Sequence, residues 1–103
     1  MDKSTAFNLI KTTYEVDSIG QRVPVETIRK VFGRKSSATR AEWSAAGVNG
    51  IKASFVLTMF APEYHGEEVA ELGGKRYAIY RTFLSKTETV ELYLGEEVGV
   101  HGN

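Results

Sequence analysis

From Lys75 to Leu94 the chain reads KRYAIYRTFLSKTETVELYL. Two runs rich in Tyr, Ile, Val, Thr and Phe flank the polar break Leu84-Ser85-Lys86-Thr87, and the second alternates Val90, Leu92 and Leu94 against Glu91 and Tyr93. This predicts a β-hairpin with one apolar face that the rest of the chain must cover. Arg81 and Glu91 fall on its two strands, so a cross-strand ion pair between them is expected.

The same grammar runs through most of the chain. Ala6 to Val16 alternates loosely and changes parity midway, which predicts a strand with a twist or bulge. Asp17 to Gln21 reads as a turn, with Gly20 free to take positive φ. Val23 to Phe32 reads as a second strand, and Pro24, lacking a ladder donor, belongs at an edge or near the strand's start. Ile51 to Phe60 alternates Ile51, Ala53, Phe55, Leu57 and Met59 against Lys52, Ser54 and Thr58, a long strand that Pro62 ends. Glu67 to Leu72 reads as a short strand, and Gly73-Gly74 as a hairpin turn into the segment at Lys75. Gly95 to Asn103, with three glycines, reads as a flexible tail.

Between the second and third strands lies the polar stretch Gly33 to Ser37, then a helix of about two turns. Thr39 and Glu42 form the S/T-x-x-E capping box, in which hydroxyl and carboxylate each satisfy a backbone N–H. Trp43 is the expected tertiary anchor, as a core or lid residue, and Gly47 the expected left-handed C-terminal cap. Asn49-Gly50 is a tight-turn signal. The fold class is therefore mainly β: a small antiparallel β-barrel or sandwich of six to seven strands, with one short helix in the 33–50 crossover. At 103 residues, one domain spanning 1–103 accounts for the length.

Cysteine is absent, which excludes disulfides and thiolate metal sites. No apolar run approaches the ~20 residues of a spanning helix, and the N-terminus lacks the pattern of a signal peptide, so a soluble cytosolic origin without membrane contact is expected. Net charge is zero but uneven: residues 1–52 hold nine Lys/Arg against five Asp/Glu, and residues 53–103 hold four against eight. Arg29 and Lys30 are candidates for a basic face and Glu67, Glu68, Glu96 and Glu97 for an acidic one. Such faces would suit docking between subunits, whereas the plainer reading is solvation of exposed strands. Arg34, Lys35 and Arg40 straddle the helix start, where phosphate or a neighbour could meet them.

Catalytic chemistry is sparse. His65 and His101 have no ligand cluster around them, and adjacent Glu67-Glu68 and Glu96-Glu97 point to opposite faces if they lie on strands. Nucleophile-elbow, P-loop and dinucleotide motifs are missing. The expectation is a protein that is not an enzyme and needs no cofactor or metal.

Residues 32–99 resemble the head-closure proteins, also called head–tail joining or stopper proteins, of long-tailed bacteriophages and related prophages. Four words carry the resemblance: the helix start Thr39, Arg40 and Glu42 with Ala46-Gly47; Tyr64, Gly66 and Glu67; Ile79, Tyr80, Arg81 and Thr82; and Glu91, Leu92, Tyr93 and Leu94 with Gly99. Where the family has Asp-Tyr, this chain has Glu63-Tyr64. The resemblance implies a virion protein of the head–tail connector, assembled in the bacterial host cytoplasm. It would form a cyclic ring, dodecamer or hexamer, beneath a head-completion adaptor and above a tail-completion or tail-tube protein. It would close the head after DNA packaging, with double-stranded DNA in the channel, and the 33–50 crossover would project toward the channel or a neighbour. The competing reading is a monomeric small β-barrel that binds nucleic acid or another protein.

Overall fold

The computed structural model describes residues 4–85 and 88–97. Six strands, β1 (Thr5–Val16), β2 (Arg22–Ser37), β3 (Ile51–Phe60), β4 (Val69–Leu72), β5 (Lys75–Leu84) and β6 (Thr89–Glu97), form one antiparallel sheet. It closes on itself in the order β1-β2-β3-β6-β5-β4. Helix α1 (Arg40–Val48) connects β2 to β3, and a single 3₁₀ turn, Ala61–Glu63, follows β3. The predicted class and the placement of the helix are as observed. So is the hairpin beginning at Lys75: β5 and β6 pair through Leu84↔Val90, and Gly73 and Gly74 make the preceding turn with φ of 61° and 82°.

The core fills the inside of this closed sheet. Leu9, Leu57, Ala70, Leu92 and Leu94 have no exposed surface, and Phe7, Val31, Met59 and Val90 join them. The core cluster takes one parity from each strand, as the period-2 pattern requires, while Ile10 on β1 and Val56 on β3 are buried on the other.

β2 departs most from expectation. Gly33 to Ser37 is not a polar loop but the end of a 16-residue strand that changes partner. Residues up to Gly33 pair with β1, and Arg34 to Ser37 pair with β3. The polar side chains misled because they face solvent while their backbone is fully in the ladder. Gly33 sits at the switch, where a Cβ would lie 2.4 Å from the Thr58 carbonyl oxygen and 3.1 Å from the Phe7 ring.

The β1–β2 ladder runs without a register shift from Thr5↔Gly33 to Val16↔Arg22, so β1 has no bulge. Its parity change has another origin. β4 pairs only with Asn8, Leu9 and Ile10, and beyond that point the two strands continue as a two-stranded arm exposed on both faces. Tyr14, Val16, Ile19 and Val23 are exposed at its end, and the long dimension of the molecule reaches 52 Å against 33 and 25 Å. Asp17 closes the tip as predicted: its Oδ1 accepts from the Ile19 and Gln21 amides, and Gly20 has φ 85°. Pro24 lies in this arm, where no third strand seeks its missing donor.

Helix α1 also differs in detail. Thr39 Oγ1 accepts from the Glu42 amide at 3.1 Å, the expected half of the capping box. The Glu42 carboxylate does not cap; it turns toward the sheet. Gly47 lies inside the helix, and the left-handed position falls at Gly50, φ 76°, after the C-cap Asn49. Trp43 is 60% exposed and is not the anchor; Glu42 and Ala46 are the buried helix residues. A nine-residue helix with so little apolar area is held by polar contacts instead.

Two further corrections concern β6. Gly95 to Glu97 pair with Ala53, Lys52 and Ile51, so the predicted tail begins as strand; residues 98–103 lie outside the described residues. The hairpin register sets Arg81 opposite Tyr93 and Glu91 opposite Phe83, so the expected Arg81–Glu91 pair is not directly opposed, and a bulge lies between Ile79 and Arg81.

Candidate functional site

α1 lies across the outer face of the sheet and leaves a cleft of about 770 Å³ between them. Arg34 and Ser36 of β2, Val56 and Thr58 of β3, Arg81 of β5, and Glu91 and Tyr93 of β6 line it opposite Thr39, Ala41, Glu42 and Ala45. On β3 and β6 these side chains alternate with the core residues Leu57, Leu92 and Leu94, so the helix lies over the polar face of those strands without opening the core.

Glu42 is the centre of the cleft. Its Oε1 accepts from Arg81 Nη2 at 2.7 Å, and its Oε2 accepts from Arg81 Nε at 3.2 Å and from the Tyr80 hydroxyl at 2.5 Å. The Arg81 guanidinium stacks 3.8 Å from the Tyr93 ring centroid, and the Tyr93 hydroxyl donates to Glu91 Oε1 at 2.6 Å. Tyr80 meets Tyr93 edge-on at 6.4 Å. The Arg81 hydrogen bond holds the Glu42 carboxyl below the ordinary carboxylate value, outweighing burial. Burial and the Glu42 carboxylate push the Tyr80 hydroxyl well above its ordinary value.

A second clamp closes the segment after the 3₁₀ turn. Arg29 Nη2 and Nε donate to Glu67 Oε2 at 2.7 and 3.2 Å, and Nη2 also donates to the Glu63 carbonyl at 2.6 Å. The His65 amide donates to Glu67 Oε1 at 2.8 Å, and the Tyr64 hydroxyl to the Glu67 carbonyl at 2.6 Å. Gly66 takes φ 82°, the left-handed geometry that lets the loop fold back on the carboxylate. Burial pushes the Glu67 carboxyl up, but Arg29 and the surrounding amides together hold it below its ordinary value.

The structure thus sorts the residues singled out in the sequence. Tyr64, Gly66 and Glu67 share one clamp; Glu42, Tyr80, Arg81, Glu91 and Tyr93 share the other; Leu92 is core and Thr82 is exposed on β5. Arg34, Lys35 and Arg40 do not converge: Arg34 lines the cleft, Lys35 Nζ lies 4.6 Å from the Phe55 ring, and Arg40 borders a recess with Trp43. The proposed basic and acidic faces are partly consumed within the chain. Arg29 and Glu67 neutralise each other, and Glu96 pairs with Lys75 at 2.8 Å. Lys30 and Glu68 remain exposed, and Glu97 is placed by its backbone opposite Ile51. Among the described residues no group of three or more His, Asp or Glu side chains is disposed to hold a metal ion, and no helix is long and apolar enough to cross a membrane.

Sequence reasoning missed Glu42 as an ion-pair partner, because its position three residues after Thr39 already had a capping role. It also missed the Arg76 cluster, in which Arg76 binds Glu26 through two hydrogen bonds of 2.8 and 3.1 Å and approaches Glu71, itself bonded to Asn8. Register had to be known before those charges could be paired. No protein-family model, curated protein or solved structure matches the chain.

Proposed function

We propose that the chain is a structural subunit of a phage head–tail connector, one that assembles with copies of itself, closes the DNA-filled head and offers a surface for tail attachment. It works through surfaces rather than through a reaction. The supporting observation is the use made of the residues behind the resemblance. Glu42 and Glu67 are both held ionised by an arginine and by further donors, whereas a general acid or base needs a carboxyl free to exchange its proton near neutral pH. The two clamps fasten α1 and the 61–68 segment to a closed sheet, and an arm with an apolar end projects from it.

The deciding experiment is a particle assay. Heads assembled without this protein should fill with DNA and then lose it, and adding the purified chain should restore retention. Tailless heads that keep their DNA without it would refute the reading.

One observation favours the competing binding module: exposed Phe32 and Phe60 border a recess with Arg34, a pairing of aromatic platform and cation that single-stranded nucleic acid uses. Oligonucleotide anisotropy with a steep salt dependence, abolished by Phe32→Ala, would favour that module.

A further inference from the structure

Two apolar features stand at opposite ends of β2. At one end the arm's turn exposes Val16, Ile19 and Val23, with Ile19 75% exposed. At the other, Trp43, Ile51, Lys52 and Ala53 line a recess of about 330 Å³, and Arg40 and Ala38 line a neighbouring recess that shares Trp43. The ladder from Arg22 to Gly33 extends roughly 35 Å at the rise of a β-strand, so the paired arm holds its tip away from its own helix. Any contact between tip and recess joins two molecules.

We propose that the arm tip of one copy seats in the Trp43 recess of a second copy. Complementarity argues for this occupant. Glu15 and Asp17 flank the apolar tip; Lys52 lines the recess and Arg40 the neighbouring one that shares Trp43, while Glu96, opposite Lys52 in the ladder, is already paired with Lys75. The cation at the tip, Arg22, is turned onto the Tyr14 ring at 4.9 Å. An isolated two-stranded hairpin is at best marginal in water, so an arm with a branched apolar end gains from being covered. Because tip and recess are different surfaces, the contact is heterologous: repeated from copy to copy it closes into a ring or extends as a filament. This deepens the connector reading, on which it rests for the assembly of copies, by naming the surfaces that meet.

The absence of cysteine makes the test clean. Ile19→Cys chain mixed with Lys52→Cys chain and mildly oxidised should cross-link at least about tenfold faster than either variant alone, because docking raises the effective thiol concentration. A chain carrying both substitutions should give a ladder of covalent multimers. Both positions are exposed, and circular dichroism checks that the fold is intact. In cysteine mixtures, Glu15→Lys should slow cross-linking and Arg40→Glu in the partner should restore it. Cross-linking no faster than in the single variants, or tip-to-tip dimers of Ile19→Cys alone as the main product, would overturn the proposal. Either failure beside heads that still need the protein to hold DNA removes this contact and leaves the connector role. Cross-linking beside heads that keep their DNA does the reverse.

Discussion

Replacing Arg81 with leucine removes the guanidinium that binds both oxygens of the buried Glu42 carboxylate and leaves its hydrogen bond from the Tyr80 hydroxyl in place. Breaking a fully buried ion pair costs roughly 3–5 kcal/mol, and an exposed one about 0.2–1 kcal/mol. Side-chain exposures of 47% for Arg81 and 9% for Glu42 place this pair between those limits, and the lost stacking on Tyr93 adds to the loss, so about 2 kcal/mol is expected. For a domain near this size that lowers Tm by roughly 8–16 °C. Glu42→Gln keeps the shape and a bond to Tyr80, and should cost about 1 kcal/mol. The double variant should be less destabilised than the sum of the two, with a coupling of about 1–2 kcal/mol. Urea denaturation of the four proteins measures the cycle, and hydrogen exchange in α1 should accelerate most in the Arg81 variant, because a nine-residue helix cannot persist unfastened. Additivity within about 0.5 kcal/mol would refute the view that this clamp holds the helix.

Other outcomes follow from the same geometry. Glu42 and Glu67 titrate below their unfolded value of 4.5, so the unfolded chain takes up protons first as pH falls; stability should decline from just above pH 4.5 downward, and Glu67→Gln should flatten that acid limb in a Tm-versus-pH series. Tyr80 is raised above 10.0, so the unfolded chain loses its proton first and stability should fall as pH climbs past 10.0; Tyr80→Phe should blunt the loss. Gly33→Ala drives a Cβ into the Thr58 carbonyl and should cost about 1–3 kcal/mol in denaturation, as should Gly95→Ala, whose Cβ would meet the Lys52 carbonyl at 2.8 Å. Trp43→Ala should change the stability of the isolated chain by no more than about 0.5 kcal/mol, whereas Leu57→Ala should cost about 2–5 kcal/mol.

Strands were legible where alternation met a continuous core: Leu57 and Met59 on β3, and Leu92 and Leu94 on β6, each face the interior as their spacing requires. Turns were legible where one residue type is demanded, at Asp17 with Gly20 and at Gly73-Gly74. Two kinds of information stayed hidden. Ladder pairing is a backbone property, so the polar side chains of Arg34 to Ser37 disguised a strand. Register is set by distant partners, so Arg81 lies opposite Tyr93 rather than Glu91 and binds Glu42, and Trp43 yielded the helix anchor to a carboxylate. For the candidate site, the words Tyr64-x-Gly66-Glu67 and Tyr80-Arg81 contain residues that share a clamp in the fold, but the sequence could not say what each one grips.

β2 belongs to two pairings and is interrupted by neither. One uninterrupted backbone runs from the solvent-exposed tip, past the tight joint at Gly33, to the first turn of α1. A pull on the tip along the strand is therefore borne by the β1 ladder in shear, with its rungs loaded together, and whatever passes Gly33 meets the four rungs to β3 before it reaches the helix. Arm and helix are thus joined by one strand, and the closed sheet grips that strand between them.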